Sequence, residues 1–208
     1  MFRRSTRSRT EKFGGELDAV KAHTAAGRWQ DAVLASIRAE RIATRLQQAE
    51  PTNPENVWVL GSTCYDQALL WDRLGKGRQA VSAARRALWA YHWLDPSKGD
   101  PDRVRDGLAD DGPEVRDDAP SAPAELMAHA ADARARLARL LAKYQRERRP
   151  GDASNIDRYR GRSVAGEVDL LGHDAVGVHE VLVETSHYEQ EDLDRVKKQY
   201  EAALQYLY

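Results

Sequence analysis

Cysteine occurs once in 208 residues, as Cys64, so no internal disulfide can form, and its place within an apolar helical pattern marks it as a small core residue of a reducing compartment. No apolar run approaches the roughly 18 residues that a membrane-spanning helix needs, and the Arg3-Arg4 pair is followed by polar residues rather than by an export signal's apolar stretch. The expectation is a cytoplasmic chain with no membrane partner. Net charge is also nearly absent, at -1 from 32 basic and 33 acidic residues, so any attraction to a polyanion must come from a local patch. No phosphate loop or dinucleotide fingerprint occurs. The six histidines show no tight ligand spacing, and without cysteine partners they predict no zinc site. No cofactor is expected from these features.

What remains is a helical pattern with 41% hydrophobic and 31% charged residues. Residues 1–12 carry Arg3, Arg4, Arg7 and Arg9 without an apolar stripe, and read as a disordered basic arm. Residues 13–96 read as helical hairpins. Leu17, Val20 and Thr24 recur at helical spacing up to Gly27. A second helix from about Gln30 carries Ala32, Val33, Ser36, Ala39, Ile42, Ala43 and Leu46 and ends before Pro51.

The design then returns, with Val57, Leu60, Cys64, Ala68 and Trp71 leading to Gly75 and a helix from about Arg78 to Leu94. A shift of 48 places Gly27, Ala32, Val33, Ala35, Arg38, Ala39 and Leu46 on Gly75, Ala80, Val81, Ala83, Arg86, Ala87 and Leu94. The chain therefore repeats. Glycine lets the backbone reverse, and the alanines let the second helix lie close to the first. All five tryptophans fall in these hairpins, where packing is their expected role.

Leu74-Gly75, Ala80 and Ala87-Leu88, with Ala68 and Trp71 before and Asp95-Pro96 after, resemble a tetratricopeptide repeat, although the period of 48 exceeds that family's roughly 34. The resemblance implies a mainly α architecture in which the first helix of each hairpin lines a groove for a partner protein. On the better-matching copy that would place Tyr65, Leu69, Asp72 and Arg73 in the binding groove. Exposed apolar ends of so short an array would also favour self-association.

Residues 97–122 read as an acidic linker rich in aspartate and proline, and residues 123–149 as a packing helix whose second half is basic, ending in Arg146, Arg148 and Arg149. With the N-terminal arm, these arginines form a candidate nucleic-acid contact.

In residues 150–208, Val164, Val168, Val176, Val178, Val181 and Val183 lie among Gly161, Gly166, Gly172 and Gly177, a pattern of short strands. The expectation is a small β-hairpin, with strands near 164–171 and 177–184, followed by an amphipathic helix from about Gln190. A helix through 174–187 is the rival. The stretch Gly166-Glu167-Val168-Asp169 followed by Val183-Glu184 is similar to the PD-(D/E)XK nuclease core. That resemblance implies Asp169 and Glu184 as ligands of magnesium or manganese, with Lys197 reaching back from the final helix. Ser186 stands where the family carries its lysine, and no closing strand follows, as in a degenerate copy.

The sequence thus points to a non-enzymatic interaction or assembly scaffold, with a metal-dependent nuclease or nuclease-derived nucleic-acid-binding protein as the alternative.

Overall fold

The computed structural model describes residues 2–51, 53–94, 123–147 and 156–207. The acidic linker, Arg148 and Arg149 lie outside them. The chain divides into two compact units, Met1–Ala90 and Tyr91–Tyr208, with the boundary in the last turn of a helix.

The first unit is built from α1 (Phe2–Ala25), α2 (Trp29–Ala49), α3 (Pro54–Arg73) and α4 (Gly77–Leu94). Residues 2–12, expected as a disordered arm, are continuous with α1. Helix α1 packs on α2, and α2 on α3. The stripe of α2 is buried as its spacing requires, with Ala32, Ala35, Ala39 and Ala43 fully inaccessible, and α4 buries Ala80, Ala83, Ala87 and Ala90 likewise. Methyl side chains on both second helices let neighbouring backbones approach closely. Around them Val33 and Leu70 are buried, with Val20, Trp29, Ile37, Trp71 and Leu74 packed against them. Pro54 opens α3 at a position that needs no amide donor, and Asn53 caps it by accepting from the Glu55 amide at 3.0 Å.

The repeat is reproduced in backbone geometry. Gly27 and Gly75 both adopt the left-handed region, at φ 69° and 67°. The Gly27 amide donates to Thr24 O at 3.0 Å and the Arg28 amide to His23 O at 2.9 Å; at a shift of 48, the Gly75 amide donates to Asp72 O at 3.0 Å and the Lys76 amide to Trp71 O at 2.9 Å. The next helix starts alike, with Ala32 N to Arg28 O and Ala80 N to Lys76 O both at 3.0 Å.

The second unit contains α5 (Pro123–Lys143), a 3-10 turn (Gln145–Glu147), α6 (Val164–Glu184) and α7 (Gln190–Gln205). These three helices contact one another pairwise. Their shared core includes Met127, Ala131 and Ala135 of α5, Ala175, Val178 and Leu182 of α6, and Val196 of α7.

The expected β-hairpin is absent. Residues 164–184 form a single helix, and no strand occurs among the described residues. The physical reason lies in the spacing: Val168, Leu171, Ala175, Val178 and Leu182 are all buried and follow steps of three and four, so they form one continuous buried stripe along a helix. The strand preference of valine amounts to at most about 1 kcal/mol per residue and is overridden by burial of that face. Ser163 caps the helix by accepting from the Gly166 amide at 3.1 Å.

Among the described residues, no helix is long and apolar enough to cross a membrane.

Candidate functional site

A concavity of the first unit lies where α2, α3 and α4 meet. It is a groove of about 410 Å³. Ile37 and Glu40 enter it from α2, Gln67 and Trp71 from α3, and Arg78, Gln79, Ser82 and Arg86 from α4. Arg78, Ser82 and Arg86 recur every fourth residue, which places them in one row along α4.

The floor is a polar network centred on Glu40. Arg86 Nε donates to Glu40 Oε1 at 2.8 Å, and Gln67 Nε2 donates to Glu40 Oε2 at 3.0 Å. Arg86 Nη2 donates to Gln67 Oε1 at 2.8 Å, and Nη1 donates to Ser82 Oγ at 2.9 Å. Gln67 is buried and also reaches Ser36 Oγ at 3.4 Å. Three helices are thus joined through one carboxylate, whose charge is met by Arg86 and whose lone pairs are occupied.

The Cys64 thiol lies 3.6 Å from Glu40 Oε1. Burial, with the Glu40 carboxylate second, pushes its pKa up to about 12. At neutral pH it is therefore a protonated, packed thiol rather than a nucleophile.

The repeat explains this network. Arg86 is the counterpart of Arg38, which donates through Nε to Glu16 of α1 at 2.9 Å. The counterpart of Glu16 in the second copy is Cys64, which offers no charge, so Arg86 takes its carboxylate from α2 instead.

Tyr65, Leu69, Asp72 and Arg73 do not line this groove. Counted at 100° per residue, Tyr65, Leu69 and Asp72 lie on the opposite face of α3 from Gln67 and Trp71. The Arg73 guanidinium stacks over the Trp29 ring at 5.2 Å, bracing the end of α3 against the start of α2.

In the second unit the proposed metal ligands are separated by the helix that carries them. Asp169 and Glu184 stand 15 residues apart on α6, about 22 Å along its axis, too far for one ion. Among the described residues, no group of three or more histidine, cysteine or acidic side chains could hold a metal. The donor set therefore does not fit magnesium or manganese. Asp169 instead accepts from the Tyr200 hydroxyl of α7 at 2.7 Å, and Lys197 pairs with Glu180 at 3.1 Å.

No protein-family model matches the chain, and no curated protein matches it significantly.

The candidate nucleic-acid arginines are divided between the units. Arg3, Arg4, Arg7 and Arg9 lie on the first turns of α1, whereas Arg146 is an exposed residue of the 3-10 turn.

Two features escaped the sequence reading. One is a buried charge network at Asp174, which accepts from Arg158 Nε at 2.7 Å, Arg158 Nη2 at 2.6 Å and the Tyr159 hydroxyl at 2.8 Å. Arg134 Nε of α5 donates to the same hydroxyl at 3.0 Å. Burial, followed by the opposing fields of Arg134 and Asp174, leaves the Tyr159 phenol raised to about 12. Arg134, in the basic second half of α5, is only 1% exposed. The network holds residues 156–162 against the α5–α6 pair and is structural.

The other is Gly172. A Cβ placed there would lie 2.1 Å from Cδ2 of the Tyr200 ring. The absent side chain is what lets Tyr200 cross α6 to reach Asp169.

Proposed function

We propose that this chain is a cytoplasmic, non-enzymatic protein-interaction or assembly module of tetratricopeptide-like design, and that it takes its partner in the groove between α2, α3 and α4. The observation that carries the reading is the groove's prior organisation. Its apolar wall, Ile37 and Trp71, stands beside a floor whose polar groups are cross-linked over three helices. A site that is already ordered loses little conformational freedom when a segment enters, which favours binding.

The recognition surface proposed here differs from the one implied by the family resemblance, since it is shared by the two second helices and the inner face of α3. The nuclease reading finds no support in the geometry of Asp169 and Glu184. The second unit serves in this account as a stably packed companion.

A photoreactive benzoylphenylalanine at Ser82 tests the assignment. Crosslinking in the cell to one discrete protein is expected at Ser82 and not at Glu201, an exposed position of α7. Equal yields at the two positions would remove the groove from the account. A magnesium- or manganese-dependent nuclease activity abolished by both Asp169→Ala and Glu184→Ala would replace it with an enzyme.

A further inference from the structure

We infer that the α1–α2 hairpin carries a second interaction surface, at the end of the pair away from its Gly27 turn, and that this surface binds the phosphate backbone of a nucleic acid. The register of the two helices is the starting point. They run antiparallel, and Arg38 of α2 donates to Glu16 of α1 at 2.9 Å. About two turns further along α2, and the same distance back along α1, the same seam is reached again. There Arg45 stands in the place of Arg38, and Arg9 in the place of Glu16. Where the first position holds an ion pair, the second sets arginine across from arginine.

Lys12 lies a turn from Arg9, and Arg41 a turn from Arg45, so four cations fall within about 6 Å along the hairpin axis. Lys12, Arg41 and Arg45 are exposed and Arg9 is half-buried, and none of the four has a hydrogen-bond or ion-pair partner among the described residues. The nearby carboxylates are already used. Glu16 is held by Arg38, Glu40 by Arg86 and Gln67, and Glu11 has an interaction of its own. Arg3, Arg4 and Arg7 belong to the first two turns of the same helix, so residues 3–12 hold five basic residues against Glu11 alone. Like charges gathered without a counterion repel one another, and a bound polyanion relieves that repulsion.

The surroundings select among polyanions. A protein partner draws most of its affinity from an apolar or aromatic anchor, and a membrane from an inserted apolar face. The exposed large apolar side chains, Leu34, Trp89 and Tyr206, all lie outside residues 9–12 and 41–45. A phosphate backbone needs no such anchor, and a duplex offers about one negative charge per 1.7 Å of its axis, a density that four cations over about 6 Å match. Contacts of this kind carry no sequence information, so binding should be indifferent to base sequence.

Fluorescence anisotropy of a short labelled DNA duplex with the full chain tests the surface. The logarithm of the association constant should fall with the logarithm of salt concentration with a slope between about -3.6 and about -6.3, for four to seven phosphate contacts. Arg41→Gln/Arg45→Gln should weaken binding by about tenfold or more and flatten the slope by about 1.8. Arg45→Glu gives Arg9 the carboxylate that Glu16 gives Arg38, so it should abolish binding while leaving the thermal midpoint unchanged or raised. Lys21→Glu, the same charge change at an exposed position near the other end of α1, should cost less than about twofold. No binding at about 50 mM salt, or equal losses in Arg45→Glu and Lys21→Glu, would overturn the inference. A lowered midpoint in Arg45→Glu would remove the like-charge seam on which it stands. Polyaspartate that displaces the duplex at equal charge concentration would assign the surface to an acidic protein instead.

Discussion

Asp174→Ala lowers the stability of the Tyr91–Tyr208 unit by about 3–5 kcal/mol, the range for removing one member of a buried ionic network. The carboxylate is 3% exposed and receives three hydrogen bonds, two from Arg158 and one from Tyr159. Without it, the Tyr159 hydroxyl stays buried beside the Arg134 guanidinium and loses the carboxylate to which it donates, and desolvation is the main cost. Arg158 is about two-fifths exposed and can turn to solvent, so its share of the loss is small. Tyr159→Phe keeps the packing and removes one hydroxyl, so it should cost closer to about 1 kcal/mol. Amide hydrogen exchange along α6 measures both effects. Protection surviving Asp174→Ala unchanged would mean that the network contributes nothing to holding α6.

Gly172→Ala is the second large effect. A methyl 2.1 Å from the Tyr200 ring forces the ring aside and with it the 2.7 Å bond to Asp169. Overpacking of this kind costs about 1–3 kcal/mol, against which the helix gains at most about 1 kcal/mol from losing a glycine. A net loss is expected, and its origin can be isolated. In a Tyr200→Ala background the clash is gone and only the propensity gain remains, so Gly172→Ala should there become neutral or stabilising. Equal losses in both backgrounds would show that the ring is not the obstacle.

These two positions also mark how far the sequence could be read. Valine and glycine content predicts strands near 164–171 and 177–184, which leaves Gly172 and Asp174 between them, whereas the stripe at Val168, Leu171, Ala175, Val178 and Leu182 decides for a helix. Once the segment is a helix, Asp174 falls on a buried face, and no local pattern announces it, since its partners Arg158 and Tyr159 lie 16 and 15 residues earlier in the chain. The burial of Arg134 gives no local signal for the same reason: its partner Tyr159 is 25 residues away, and its neighbours in sequence are the other basic residues of that helix.

The first unit was far more legible. Its glycines, alanine stripes and Asn53-Pro54 start act within a few residues, and the 48-residue repeat showed which positions correspond. The face of recognition was less so. Helical periodicity identifies Gln67 and Trp71 as inward on α3, but which inward residues border an open groove depends on how α2 and α4 close around them.

The most direct test of the account is amide and indole shift mapping of the full chain with the partner protein captured at Ser82. Saturable shifts at Ile37, the Trp71 indole, Ser82 and Arg86 are expected, with Tyr65, Leu69 and α5–α7 unmoved. Shifts confined to Tyr65, Leu69 and Asp72, or to the Tyr91–Tyr208 unit, would contradict it.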